Sequence, residues 1–283
     1  MSALRGLNVG ILGAGKMGQA LIKGLLAHGL SRRALSAADP SHDARRAVTR
    51  QFRISATGDT TRVVSRSDIV ILAVKPQQFP TMIATLAPDL LPAPRHQSGQ
   101  AGTRRQLVIS IAAGIRLRWL ESRLPGIPLV RVMPNLTATV GYGFSAIALG
   151  RRTTARHRAI AREIFGAVGE VVELPERQFD AITAVSGSGP AYVFFLVHAW
   201  EEAARSLGLP QAVASQAIRQ TLRGSVELLE ASGEAPLALI GKVASKGGTT
   251  EAALQSFAKR RVLAHFTEAL RAAARRSQEL SWS

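Results

Sequence analysis

Two short glycine-rich stretches hold the residues of this sequence whose types and spacing could do chemistry. Near the start, Gly13-Ala14-Gly15-Lys16-Met17-Gly18 is a GxGxxG that follows an apolar run and opens a helical one. In that setting the first glycine permits a tight turn, the second lets backbone approach a pyrophosphate, and the third lets the helix pack closely. The N–H groups of the helix N-terminus then face the phosphates. Far along the chain, Ser245-Lys246-Gly247-Gly248-Thr249-Thr250 is a glycine turn running into a helix, with Thr249 or Thr250 able to cap it. Free N–H groups at such a turn suit a small carboxylate, although the same letters also spell an ordinary capped helix.

Other residues fall where a dinucleotide would need them. Asp39 ends the second strand-like run, the position that normally contacts the adenosine ribose. A carboxylate there favours NADH because it repels a 2′-phosphate, yet Ser41, Arg45 and Arg46 follow and could bind that phosphate. The two cues conflict, so either dinucleotide is expected to serve. Ala73-Val74-Lys75-Pro76 and Ala112-Ala113-Gly114 each end a strand-like run. Ligands of open α/β sheets sit beyond the carboxyl ends of strands, so both segments point at the same cofactor. The small residues Ala112, Ala113 and Gly114 would let a flat nicotinamide ring lie near backbone, or they serve close packing alone.

The elements that must position these residues alternate in the first half. Strand-like runs are read at Leu7–Leu12, Leu35–Ala38, Asp68–Val74, Leu107–Ala112, Leu129–Met133, Phe144–Leu149 and Val171–Leu174, with helical stretches between them. Alternation of this kind indicates βαβ units and a mostly parallel sheet. From about Pro175 helical periodicity takes over. The expectation is α/β then all-α: a Rossmann-type domain over residues 1–175 and a helical domain over 176–283. One segment, Pro92–Gln106, has a Pro, Gly, Gln and Arg content that cannot form a core and reads as a surface insertion.

Composition narrows the class. A chain of 283 residues, 46% apolar and 19% charged, suffices for two globular domains. It has no cysteine, which excludes a disulfide scaffold, a Cys-ligated zinc and a thiol nucleophile, and fits a reducing compartment. The six histidines show no ligand-like spacing, so no metal is expected. No unbroken apolar run reaches bilayer length, and Ala191–Trp200 reads as a buried helix. The first residues resolve into a strand and turn, not a signal peptide, so a soluble cytoplasmic chain with no membrane is expected. The net charge is +17, and all but six of the 36 cations are arginine, scattered in pairs such as Arg151-Arg152. No aromatic-interleaved motif accompanies them, which favours a solvated surface over a nucleic-acid site. The charge would still steer anionic ligands.

Taken in order, the GxGxxG, AVKP (Ala73–Pro76), SIAAG (Ser110–Gly114), MPN (Met133–Asn135), VSGSGPAYVF (Val185–Phe194) and VASKGGTTEAAL (Val243–Leu254) make this sequence resemble the pyrroline-5-carboxylate reductases, from about residue 8 to 280. The last two motifs are the specific ones. The resemblance implies reduction of Δ1-pyrroline-5-carboxylate to L-proline by hydride transfer from NADP(H), with NAD(H) as an alternative. It further implies a Rossmann domain followed by a helical one through which subunits form a homodimer, or a ring of dimers. In the family the Thr of this last motif bonds the ring nitrogen and nearby backbone N–H groups hold the carboxylate. Here these are Thr250 and the cradle Ser245, Gly247, Gly248 and Thr249. The matching acidic residue near the substrate is Glu176, and Asn135 sits in a loop beside the cofactor.

Some positions depart from the pattern. Leu136 and Thr137 stand where the family has Thr-Pro, Lys246 where Pro is common, and Lys242 where many members place an amide. The Gly-Phe that often follows the Thr helix is missing around Lys259–Val262. A protonated cyclic imine is already electrophilic, so neither a catalytic His nor a carboxylate dyad is expected. Two other readings remain: a β-hydroxyacid-type dehydrogenase, which would need a helical-domain Lys in a Gly-x-x-x-Lys setting, and a non-catalytic dinucleotide-binding module.

Overall fold

The computed structural model describes residues 2–90 and 106–282. The insertion read at Pro92–Gln106 therefore lies, except for Gln106, outside the described residues. Gln106 donates its side-chain amide to the Val64 and Ser67 carbonyls at 2.6 and 2.8 Å.

In chain order the elements are β1 (Val9–Leu12), α1 (Lys16–Ala27), β2 (Leu35–Ala38), α2 (His42–Phe52), β3 (Ser55–Thr57), α3 (Thr60–Val64), β4 (Ile69–Leu72), α4 (Phe79–Leu90) and β5 (Leu107–Ser110). There follow α5 (Leu117–Arg123), β6 (Leu129–Met133), β7 (Gly143–Leu149), α6 (Ala155–Gly166), β8 (Gly169–Glu173) and α7 (Phe179–Ile182). The rest is helical: α8 (Gly189–Ser206), α9 (Gln211–Ser232), α10 (Pro236–Val243), α11 (Thr249–Lys259) and α12 (Val262–Glu279).

The strands form one sheet ordered β3-β2-β1-β4-β5-β6-β7-β8. All neighbours are parallel except β6 and β7, which pair antiparallel from Val130↔Leu149 to Met133↔Ala146. The mostly parallel sheet expected from the alternating pattern is thus present. Strands β1, β4 and β5 are buried at every position, as strands covered on both faces must be. Side chains from alternate positions feed two cores, one under each face: Val9 and Ile11 enter one, Leu12 and Leu72 the other. Strand order reverses where β1 lies between β2 and β4, and the crevice beyond the carboxyl ends at that reversal is where such sheets bind ligands. Two elements escaped the sequence reading. Strand β3 is a three-residue edge, Ser-Ala-Thr, without an apolar run, and α3 is a five-residue helix capped by Asp59.

The chain divides into two compact units, residues 2–188 with 273–282 and residues 189–272. The strand pattern stops at Glu173, whereas the first unit continues to Ser188, because Phe179 and Ala184 are buried in it. Thr183–Gly187 is a π turn in which the Ser188 N–H reaches five residues back to the Thr183 carbonyl at 2.8 Å. Within the second unit only Ala204, Ala214 and Ile218 are buried apolar residues, while Phe194, Phe195, Leu237 and Leu263 are at least 60% exposed. Tyr192 and Phe266 meet edge to face at 6.3 Å in this unit.

Candidate functional site

The first glycine turn is built as its spacing requires. Gly13 has φ +111, and a Cβ there would lie 2.5 Å from the Ala73 carbonyl oxygen at the end of β4. A Cβ on Gly18 would strike the Gly13 carbonyl oxygen. These two glycines let strand, turn and helix close on one another. Gly15 differs: a Cβ there would meet no protein atom within 4 Å. It is the N-cap of α1 and supplies no side-chain acceptor, so the first turn, exposed at Lys16, half-buried at Met17 and buried at Gly18, opens without a cap. An uncapped helix start beside open space, reached by bare backbone, fits a pyrophosphate.

At the adenosine end the Asp39 carboxylate is already engaged. Its Oδ2 accepts the Ala14 N–H and its Oδ1 the Ser41 N–H, both at 2.8 Å. The Ala14 N–H is thus satisfied within the protein, and Asp39 braces the glycine turn. Arg45 donates through one guanidinium nitrogen to the Asp39 and Pro40 carbonyls, each at 2.8 Å. Ser41 caps α2 by accepting the Ala44 N–H at 3.3 Å, and Arg46 is exposed.

The structure brings the AVKP and AAG segments to the carboxyl ends of adjacent strands β4 and β5. Lys75 is exposed, caps a short 3₁₀ turn, and its N–H donates to Gln78 Oε1 at 3.3 Å. Val74 and Pro76 are half-buried, Ala112 is buried and Ala113 exposed. Gly114 has φ +78, and its carbonyl accepts the Trp282 N–H at 2.8 Å. Asn135 spends its side chain internally. Its amide nitrogen donates to the Ser186 carbonyl and hydroxyl at 3.3 and 3.2 Å, and its oxygen accepts the Thr137 hydroxyl and Phe144 N–H. It ties the loop after β6 to the π turn.

Glu176 lies in the sheet-containing unit and serves as a brace there. Its Oε1 accepts both the Leu117 N–H at 2.7 Å and the Arg131 guanidinium at 2.8 Å. Arg131 is 3% exposed on β6 and stacks over Phe179 at 4.8 Å. Burial pushes the Arg131 pKa down, and the hydrogen bond and charge of Glu176 oppose that. Asp180 adds a contact to Arg116 at 3.5 Å and accepts the Ser277 hydroxyl at 2.7 Å. Sequence reasoning missed Arg131, and the signal was available: an arginine inside the apolar strand LVRVM must find a partner.

In the second unit the turn ahead of α11 has Gly247 at φ +73, while the Gly248 N–H donates to the Ser245 carbonyl at 3.0 Å. A Cβ on Gly248 would sit 2.5 Å from the Ser245 hydroxyl and 3.1 Å from the Ser245 carbonyl oxygen, so a side chain there would crowd the turn. Gly248 is the N-cap and offers no side chain, which leaves the first turn from Thr249 and half-buried Thr250 uncapped. The Gly247 N–H donates to Glu251 at 2.5 Å. Lys242 pairs with Glu234 at 2.6 Å on the surface.

Comparison with known proteins shows what the chain is similar to. Residues 176–280 match the family model for pyrroline-5-carboxylate reductase dimerisation, and residues 8–114 match that for NADP oxidoreductase coenzyme F420-dependent. The chain is 38% identical to a pyrroline-5-carboxylate reductase of Synechocystis over 97% of its length and 98% of that protein's. It is 36% identical to the Arabidopsis thaliana enzyme of that name over 97% and 96%. The structure of a pyrroline-5-carboxylate reductase from Coxiella burnetii is similar at TM-score 0.87 and 30% identity, covering 98% and 99% of the two chains. A Plasmodium falciparum pyrroline carboxylate reductase with NADP bound matches at TM-score 0.85 and 25% identity, over 98% and 99%.

Proposed function

The chain belongs to the pyrroline-5-carboxylate reductase family, and from that premise we propose how its residues divide the reduction of Δ1-pyrroline-5-carboxylate to L-proline, the last step of proline biosynthesis. Residues 1–175 hold the dinucleotide, and residues 176–283 hold the imino acid and pair the subunits. The observation that carries the reading is the pair of uncapped helix starts, Gly15 before α1 and Gly248 before α11, each a ready anion site.

The uncapped turn from Gly15 to Gly18 takes the pyrophosphate, and the close approach of Gly13 to Ala73 keeps that turn flat. Ala73, Val74, Lys75 and Pro76, with Ala112, Ala113 and Gly114, line the strand ends where the nicotinamide half would lie. Because Asp39 braces the turn through two backbone N–H groups, its charge is partly spent there. The Ser41 hydroxyl, an acceptor in the α2 cap, still has a proton to donate, and Arg46 is exposed on the same helix, so NADP(H) is the expected cofactor, with NAD(H) also accepted. When bound, the dinucleotide supplies a hydride from C4 of its nicotinamide.

The chain's own residues bind and orient. The first-turn Thr249 N–H and the Ser245 hydroxyl hold the imino-acid carboxylate, and Gly248 joins them once its N–H leaves the Ser245 carbonyl. For Gly247 to join them its N–H must leave the Glu251 carboxylate. Thr250 Oγ1 bonds the ring nitrogen, fixing the C=N plane and keeping a proton at that atom. Glu176, tied to Arg131 and Leu117, acts on the fold and not on the substrate.

The helical stretch Glu176–Ser206, 31 residues long, contains an 18-residue window with a mean hydropathy of 1.3, enough to cross a membrane by length and composition. Its start is fastened to the sheet unit by Glu176 and Asp180, which argues for an interface with a second copy instead. We place the chain in the cytoplasm, where a charged imino acid and dinucleotide are dissolved.

Steady-state reduction of pyrroline-5-carboxylate with NADPH and NADH in parallel tests the reading. Thr250→Ala should lower kcat/KM about 10- to 100-fold, the worth of one hydrogen bond to a charged group. Full activity in that variant removes Thr250 from the site, and dinucleotide binding without turnover supports a non-catalytic module.

A further inference from the structure

The segment that follows α12 lies on the loop assigned to the nicotinamide, and nothing in the sequence motifs announces it. The Trp282 N–H donates to the Gly114 carbonyl at 2.8 Å, and Trp282 forms a parallel bridge with Ile115. Gly114 must be a glycine for this reason. It has φ +78, and a Cβ would lie 2.6 Å from the Leu280 carbonyl oxygen, which is backbone and cannot swing aside. The glycine ending the AAG segment is thus accounted for by this contact with residues 280–282.

The indole extends the contact. Trp282 meets Trp119 edge to face at 5.7 Å, and Trp119 meets Phe79 likewise at 6.4 Å. Phe79 is fully buried and directly follows the 3₁₀ turn Pro76–Gln78 of the AVKP segment. Arg123 lies over the Trp119 ring at 4.0 Å. One aromatic chain therefore runs from residue 282 to the segment beyond β4, while the backbone bond grips the segment beyond β5. All of these residues belong to the sheet-containing unit.

We propose that Trp282 is a positioning residue for the nicotinamide half of the cofactor, holding the β4 and β5 loops at the spacing the ring requires. It touches neither cofactor nor substrate and acts through Gly114, Trp119 and Phe79. The proposal rests on the assignment of those two loops to the nicotinamide. Preorganised loops bind without first being ordered, so loosening them should weaken only the half of the ligand they touch.

The test compares the full-length protein with Trp282→Ala and Trp282→Phe by calorimetry. Ligands are NADPH and NADH, and the adenosine halves 2′,5′-ADP and 5′-ADP. Trp282→Ala should bind the reduced dinucleotides about tenfold more weakly, the scale of a lost aromatic pair plus loop ordering, with the adenosine halves unchanged. Trp282→Phe, which keeps an aromatic edge, should recover most of that loss. Loss of folded protein lowers the site count for both ligand types together and leaves their affinity ratio unmoved, so a poorly folding variant still gives an answer. An unchanged ratio, or equal weakening of dinucleotide and adenosine half, overturns the role of Trp282. Failure of the wild-type protein to bind either dinucleotide overturns the cofactor reading itself, and the proposal with it.

Discussion

Glu176 shows how a single carboxylate can be claimed by two roles. Family resemblance puts it near the imino acid, while its Oε1 joins the guanidinium of Arg131 to the first N–H of α5. Arg131 is almost wholly buried, so removing its partner strands a charge in an apolar strand. Glu176→Ala should therefore destabilise the protein by about 3 kcal/mol, read as a shift in the denaturation midpoint. KM for the imino acid should stay near wild type wherever the variant is folded. A variant of normal stability with a raised KM would return Glu176 to the substrate. Asn135 and Asp39 carry the same lesson: both are expected at the cofactor, and both also hold backbone or side-chain groups of the protein itself. Spacing reveals that a polar residue stands at a strand end. Only coordinates reveal what has already claimed its hydrogen bonds.

At the scale of elements, helix α6 gives a pH-dependent test away from the site. Its N-cap Thr154 accepts the His157 N–H at 3.4 Å, and the Thr154 N–H donates back to His157 Nδ1 at 3.2 Å. This reciprocal cap needs a neutral ring, with Nδ1 as acceptor. Burial, and then the charge of neighbouring Arg156, hold the His157 pKa below the ordinary 6.5. The unfolded chain thus takes up the proton first as pH falls. Stability supplied by the neutral ring is complete above about pH 6.5 and is lost as pH drops through the folded value. Tm should fall on acidification across that window, and His157→Gln, whose amide can make the same cap without titrating, should flatten the fall. An unchanged slope in that variant would assign the effect to other groups. The strands themselves were legible, because parallel strands buried on both faces read as unbroken apolar runs. Strand β3 was not, since a three-residue edge leaves no pattern.

The helical unit poses the question of the whole molecule. Its inward-facing apolar residues are few, and Phe194, Phe195, Leu237 and Leu263 face outward. A surface this apolar is an interface. Together with the match of residues 176–280 to a dimerisation family, this predicts a homodimer as the minimal species. Light scattering behind gel filtration should give at least twice the 30.1 kDa chain mass, and Phe195→Glu should reduce it to one chain or cause aggregation. A stable, active wild-type monomer would remove the interface. A ring of dimers would show as a further multiple of the dimer mass.

The sequence by itself determined the class of fold and the family. Glycines where side chains cannot fit, apolar runs of strand length and the order of six motifs depend on local sterics and burial, which are written residue by residue. Tertiary structure decided how the remaining valences were used. The pairing of Arg131 with Glu176, the brace of Asp39 on Ala14 and the grip of Trp282 on Gly114 join residues 25 to 168 positions apart. No local pattern encodes such a meeting, because it exists only after the sheet and its covering helices have closed.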